Sequence, residues 1–172
     1  MLDHLHGGFT DAGPARLEAA AKRRIPAVIA PGYCNRIIFS SREAIPKKFA
    51  DRDVWTHGVS IFIVPTTRDE MRKLADVLAG KINQYSGSLA VLLPLKGLSS
   101  PRGRFDDPKI NRAFFNELKR NLRPEIPVKE LDMHILNPEF ADEALKALLG
   151  LTKEPKSGNP DPVMAETIRY IS

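Results

Sequence analysis

One segment constrains this chain more than any other. Leu89-Ala90-Val91-Leu92-Leu93-Pro94 is apolar at every position, with Ser86-Gly87-Ser88 before it and a long polar loop, 95–107, after it. A half-buried strand alternates apolar and polar residues, whereas an unbroken apolar strand has both of its faces covered. Such a strand belongs inside a sheet with helices on either side. The neighbouring segments supply those helices. Thr67 and Glu70 have capping-box spacing, and Met71, Leu74, Ala75, Leu78 and Ile82 then form one helical stripe. Pro108 opens a second helix, whose inward face is Ile110, Ala113, Phe114, Leu118 and Leu122. Asn137 and Pro138 suit the N-cap and first turn of a third helix, running to about Leu149.

Further strands are expected at Ile25–Ala30, ending in Pro31-Gly32, at Ser60–Val64 and at Ile126–Met133. Between them, Ile37–Phe39 and Val54–His57 are candidate short strands. An earlier helix follows Pro14 and carries Leu17, Ala20 and Ala21. Right-handed crossovers between these strands give an α/β fold, a three-layer αβα sandwich around a mostly parallel, Rossmann-like or flavodoxin-like sheet. The domain is expected over 1–151. A linker follows, Lys153-Glu154-Pro155-Lys156-Ser157-Gly158-Asn159-Pro160, and then a short helix over Val163–Tyr170, making 152–172 a separate tail.

Composition narrows the function classes. With 42% hydrophobic and 27% charged residues among 172, the chain has a globular rather than a disordered balance. The net charge of +5 is spread among interleaved acids and bases, so nucleic acid is not an expected partner. No apolar run reaches the ~18 residues of a membrane span, and the first residues lack a signal-peptide layout, which points to a cytoplasmic protein. One cysteine, Cys34, excludes a CxxC site. His4, His6 and Asp3 lack the further ligands of a metal site, and none is expected.

In an open parallel sheet, ligands bind beyond the carboxyl ends of the strands. That rule selects Gly32, His57, the Lys96-Gly97-Leu98-Ser99-Ser100 loop, and Asp132-Met133-His134. Glycine and serine there offer backbone N–H groups and hydroxyls to an anion, and Lys96 adds charge. Arg102, Arg104 and Lys109 border the same loop. Gly97 and Gly103 do not have Walker A spacing, and no GxGxxG is present. Asp132 and His134 stand two apart on one face of the last strand, where an acid and an imidazole can cooperate as catalytic candidates.

Several segments together resemble one family. They are Gly7-Gly8 with Gly13-Pro14-Ala15-Arg16-Leu17-Glu18-Ala19-Ala20, the Pro31-Gly32 turn, Thr66-Thr67 with Glu70, and Leu92-Leu93-Pro94-Leu95-Lys96-Gly97-Leu98-Ser99. Phe105-Asp106-Asp107-Pro108, Leu131–Ile135 and Pro138–Ala141 continue the match. The chain is similar to the C-terminal half of relatives of the tomato mosaic virus resistance protein. The resemblance implies two α/β halves, of which this chain holds the second, and ATP, with magnesium, as the ligand. It also implies the N-terminal half, or a second copy, as a partner. Departures from the family pattern fall at the ligand end: Asn35, Ile38, Gly58-Val59, Phe62, Pro65 and Leu136-Asn137. Three readings follow. The domain is half of a cleft for a nucleotide or phosphorylated ligand, an enzyme using Asp132 and His134 on a small anionic metabolite, or an interaction scaffold with a degenerate pocket.

Overall fold

The computed structural model describes residues 1–99 and 105–153. Ser100, Arg102, Arg104, the linker and the expected terminal helix lie outside the described residues. The elements in chain order are α1 (Leu2–His6), α2 (Glu18–Lys22), β1 (Ala27–Ile29), β2 (Arg36–Phe39), β3 (Trp55–His57), β4 (Ile61–Pro65), α3 (Arg68–Asn83), β5 (Leu89–Pro94), α4 (Pro108–Asn121), β6 (Val128–Leu131) and α5 (Pro138–Lys153). A single 3-10 turn, Lys47–Phe49, joins β2 to β3.

β5 is the centre of a parallel sheet ordered β1-β5-β6, with Val28 opposite Ala90 and Leu92 opposite Lys129. All six of its residues are buried. Because successive side chains of a strand point to opposite faces, β5 feeds two cores. Leu89, Val91 and Leu93 pack with Met71, Leu74 and Ile82 of α3 and with Phe114 and Leu118 of α4. Ala90 and Leu92 pack instead with Phe140, Ala144 and Ala147 of α5. This is the expected α/β class, with helices on both faces of a parallel sheet.

One strand pairs differently from the expectation. β4 does not extend the parallel sheet. It lies between β2 and β3 in an antiparallel sheet of its own, with Ile37 opposite Val64 and Thr56 opposite Phe62. The chain between Phe39 and Trp55 folds back through the 3-10 turn, and its apolar residues, Phe49 above all, fill the space beneath. Ile37, Phe39, Phe49 and Val64 are all essentially inaccessible and belong to the α3–α4 core.

The helix starts follow the sequence closely. The Thr67 hydroxyl accepts from the Glu70 N–H at 3.3 Å, and the Glu70 carboxylate accepts from the Thr67 N–H at 2.9 Å. Asp107 caps α4 by accepting from the N–H groups of Lys109 and Ile110. α5 runs to Lys153, past the expected end. The helix after Pro14 is reduced to the five residues of α2. No helix among the described residues is long and apolar enough to cross a membrane.

α1 is too short to persist alone, since the first turn of any helix is costly to nucleate. Asp3, 4% exposed, ties it down. Its carboxylate accepts from the Ile38 N–H of β2 at 3.1 Å, from the Thr10 N–H at 2.9 Å and from the Thr10 hydroxyl. Asp3→Ala leaves those donors unpaired and is expected to cost about 3 kcal/mol, read as a lower urea midpoint with an unchanged m-value. An unchanged midpoint would show that α1 is held by Leu2 alone.

Candidate functional site

The loops leaving the carboxyl ends of β1, β5 and β6 are stitched together by backbone. Leu95 and Lys96 donate N–H bonds to the carbonyls of Leu131 and Met133, at 2.9 and 3.1 Å. Ile135 donates to the Gly97 carbonyl at 3.1 Å, and Tyr33 to the Leu98 carbonyl at 2.7 Å. Two glycines permit this closeness. A Cβ on Gly32 would collide with the Ile135 side chain, and one on Gly97 would lie 2.5 Å from His134 Nε2 and 3.0 Å from Asp106 Oδ2. Gly97 also has φ of 150°, a region that side-chain-bearing residues avoid.

Asp106 is the hub. Its Oδ1 accepts from the Leu98 N–H at 2.8 Å, from Asn111 Nδ2 at 2.9 Å and from Asn35 Nδ2 at 3.0 Å. Its Oδ2 accepts from the Ser99 N–H at 2.9 Å and faces His134 Nε2 at 3.3 Å. Burial acts to raise this carboxyl, but the Leu98 N–H, the Asn111 amide, the Ser99 N–H and His134 outweigh it. Together they hold the group below the usual carboxylate range. Asn35, itself buried, also donates to the Phe105 carbonyl at 2.7 Å, and its own carbonyl accepts from the Thr66 hydroxyl.

The partners of His134 define its tautomer. The Leu136 N–H donates to Nδ1 at 3.1 Å, so the ring proton is on Nε2, where it is given to Asp106. Both ring nitrogens are engaged. Asp132 is not among its partners, which corrects the expected Asp132–His134 cooperation. β6 ends at Leu131, so the two residues do not share a strand face, and Asp132 instead pairs with Lys96 at 2.9 Å, both largely exposed.

The other expected residues fall as follows. Gly32, Lys96, Gly97, Ser99 and His134 converge at one end of the sheet. Ser99 is fully buried, its N–H held by Asp106 and its hydroxyl accepting from Asn35 Nδ2 at 3.3 Å. His57 stands apart on exposed β3, where its ring meets Trp55 at 5.3 Å, and Trp55 meets Phe105 at 5.9 Å. Burial pushes the Cys34 thiol up to about 12, which leaves it without thiolate character. Among the described residues no three His, Cys, Asp or Glu are grouped to hold a metal ion. An open depression of about 370 Å³ lies on the far side of Leu95, between Arg112 and Phe115 of α4 and Glu130 of β6.

Asp106, Asn111 and Arg36 were not singled out by sequence. The signal for Asp106 was an aspartate directly before the N-cap of α4, a place where a second carboxylate has no capping role to fill. Arg36 is half-buried between the rings of Tyr33 and Phe105, its guanidinium carbon 4.9 and 4.8 Å from their centroids.

Fold and geometry thus define an αβα domain with a polar, cross-linked cluster at the carboxyl edge of its parallel sheet. The model of the Uncharacterised protein family (UPF0261) C-terminal domain matches residues 1–152, and the chain belongs to that family. It is 31% identical over 156 residues to a UPF0261 protein of Clostridium tetani, covering 88% of this chain and 39% of that protein. It is 29% identical over 176 residues to the ToMV resistance protein Tm-1(GCR237) of Solanum lycopersicum, covering 99% of this chain and 23% of that one. For the ToMV susceptible protein tm-1(GCR26) of the same plant the identity is 31%, over 97% of this chain and 22% of the relative. The chain therefore spans well under half the length of these relatives.

Proposed function

We propose that this domain forms one wall of a cleft for a nucleotide or another phosphorylated small ligand, the opposite wall coming from another domain or another chain. The observation that carries this reading is the convergence of three strand-end loops on a rigid cluster, with the exposed Lys96 at its mouth. Gly32, Gly97, Ser99 and His134 build the floor, and the exposed Lys96, paired with Asp132, supplies a cation. A magnesium ion would enter with the nucleotide rather than through protein ligands.

The expected N–H cradle does not fit a phosphate as it stands, because Asp106 already occupies the Leu98 and Ser99 donors. Phosphate oxygens must then be met by side-chain cations. The same observation favours a second reading, an interaction scaffold whose anion pocket is filled by its own carboxylate. An acid–base enzyme is less well supported, since Asp132 pairs with Lys96 and both ring nitrogens of His134 have partners within the protein.

Thermal unfolding with ATP, ADP, AMP and phosphoenolpyruvate, each with and without magnesium, separates the two leading readings. A ligand at a hundredfold its dissociation constant adds ~2.7 kcal/mol. A shift that weakens in Lys96→Met supports the cleft. A well-folded protein that responds to none of the four supports the scaffold.

A further inference from the structure

Arg36 is a cation with N–H groups that are not met by an acceptor. Its Nε and Nη2 are buried and have no hydrogen-bond partner, and it forms no ion pair with any described carboxylate. Burial pulls the guanidinium below its ordinary value, the mark of a charge held away from water. Tyr33 and then Asp106 act electrostatically in its favour, but both oxygens of the Asp106 carboxylate are committed to Leu98, Ser99, Asn35, Asn111 and His134. Buried guanidinium N–H groups without acceptors are costly, and an oxyanion placed on them would relieve that cost.

The orphaned atoms are not a random pair. Nε–H and Nη2–H lie along one edge of the guanidinium and point the same way, which is the side-on geometry that takes two oxygens of one oxyanion. The rings of Tyr33 and Phe105 lie over the guanidinium and restrict its rotation. Tyr33 is half exposed, so its ring forms the solvent side of this site.

We propose that Arg36 is the oxyanion receptor of this domain, its Nε–Nη2 edge binding the phosphate of a small phosphorylated ligand. The proposal rests on the cleft reading above, and it places anion recognition on β2 rather than on the glycine–serine loop.

The test is thermal unfolding of the wild-type chain, Arg36→Met and Arg36→Lys at constant chloride ionic strength. Inorganic phosphate, AMP and malonate are each titrated in. Arg36→Met fills similar volume without charge and is expected to melt about 3 °C above wild type when no oxyanion is present. Phosphate should raise the wild-type melting temperature and leave Arg36→Met unmoved. Arg36→Lys keeps the charge but loses the fork, and should need about tenfold more phosphate for the same shift. A malonate response stronger than that to phosphate, and equally lost in Arg36→Met, would overturn the assignment of a phosphorylated ligand.

A phosphate response undiminished in Arg36→Met overturns the proposal, as does a wild-type chain that answers none of the three anions. Should Arg36→Met fail to fold, an undiminished response in Arg36→Lys overturns it equally. An ATP or AMP shift independent of Arg36 would sink this inference and leave the cleft reading standing. An Arg36-dependent phosphate shift with no nucleotide or phosphoenolpyruvate response would do the reverse.

Discussion

Gly97→Val is expected to destabilise the domain by about 3 kcal/mol, a large share of the stability of a domain this size, read as a lower urea midpoint. Two costs add at this one position. The backbone sits at φ of 150°, where any side chain is strained. The new Cβ would also lie 2.5 Å from His134 Nε2 and 3.0 Å from Asp106 Oδ2. The imidazole is held by Leu136 and Asp106 and cannot swing away without breaking both bonds. Urea unfolding separates the two contributions. Gly97→Ala in a His134→Ala background removes the collision with the ring but keeps the dihedral strain, so it should be milder than Gly97→Ala alone. Equal urea midpoints for Gly97→Val and wild type would mean that the 95–99 loop is not packed as described.

Asp106→Ala should cost about 4 kcal/mol, because it strands the Leu98 and Ser99 N–H groups and the Asn35 and Asn111 amides together. The wild-type chain should also show this residue in its pH dependence. Burial opposes ionisation, but the donors of Leu98, Asn111, Ser99 and His134 win, so the folded carboxyl titrates below its unfolded value. Its stabilisation is present above about pH 4 and is lost as the pH falls through the folded pKa. Asp106→Asn should be less stable at neutral pH and should have a flatter acid limb. A variant whose stability falls with acid as steeply as wild type would assign that limb to other carboxylates.

These two residues also show where sequence reasoning reached and where it stopped. Gly97 was legible, because a glycine directly after an unbroken apolar strand marks a loop at the ligand end of a sheet. β5, α3 and α4 were legible for a similar local reason: their stripes and caps lie within a few residues of one another. The sheet assignment of β4 was not. Its apolar run is the same whether it lies in a parallel or an antiparallel sheet, and its partners, Ile37–Phe39 and Trp55–His57, are too short to show a period. α1 was invisible, since five residues carry no helical stripe, and Asp3 holds them through Thr10 and Ile38. Asp132 misled because spacing alone cannot tell where a strand ends. Asp106 was missed because two of its partners, Asn35 and His134, lie far away in the chain, and Arg36 because one of the rings against it, Phe105, does.

That last property sets when the cluster can form. Asp106 draws its donors from Asn35 and His134 as well as from its own neighbourhood, so its ring of bonds closes only after almost the whole described domain has been made. During synthesis, the Leu98 and Ser99 amides can meet Asp106 as soon as the start of α4 is made, whereas His134 joins that carboxylate only after β6. The strand-end cluster is thus a late-closing clasp.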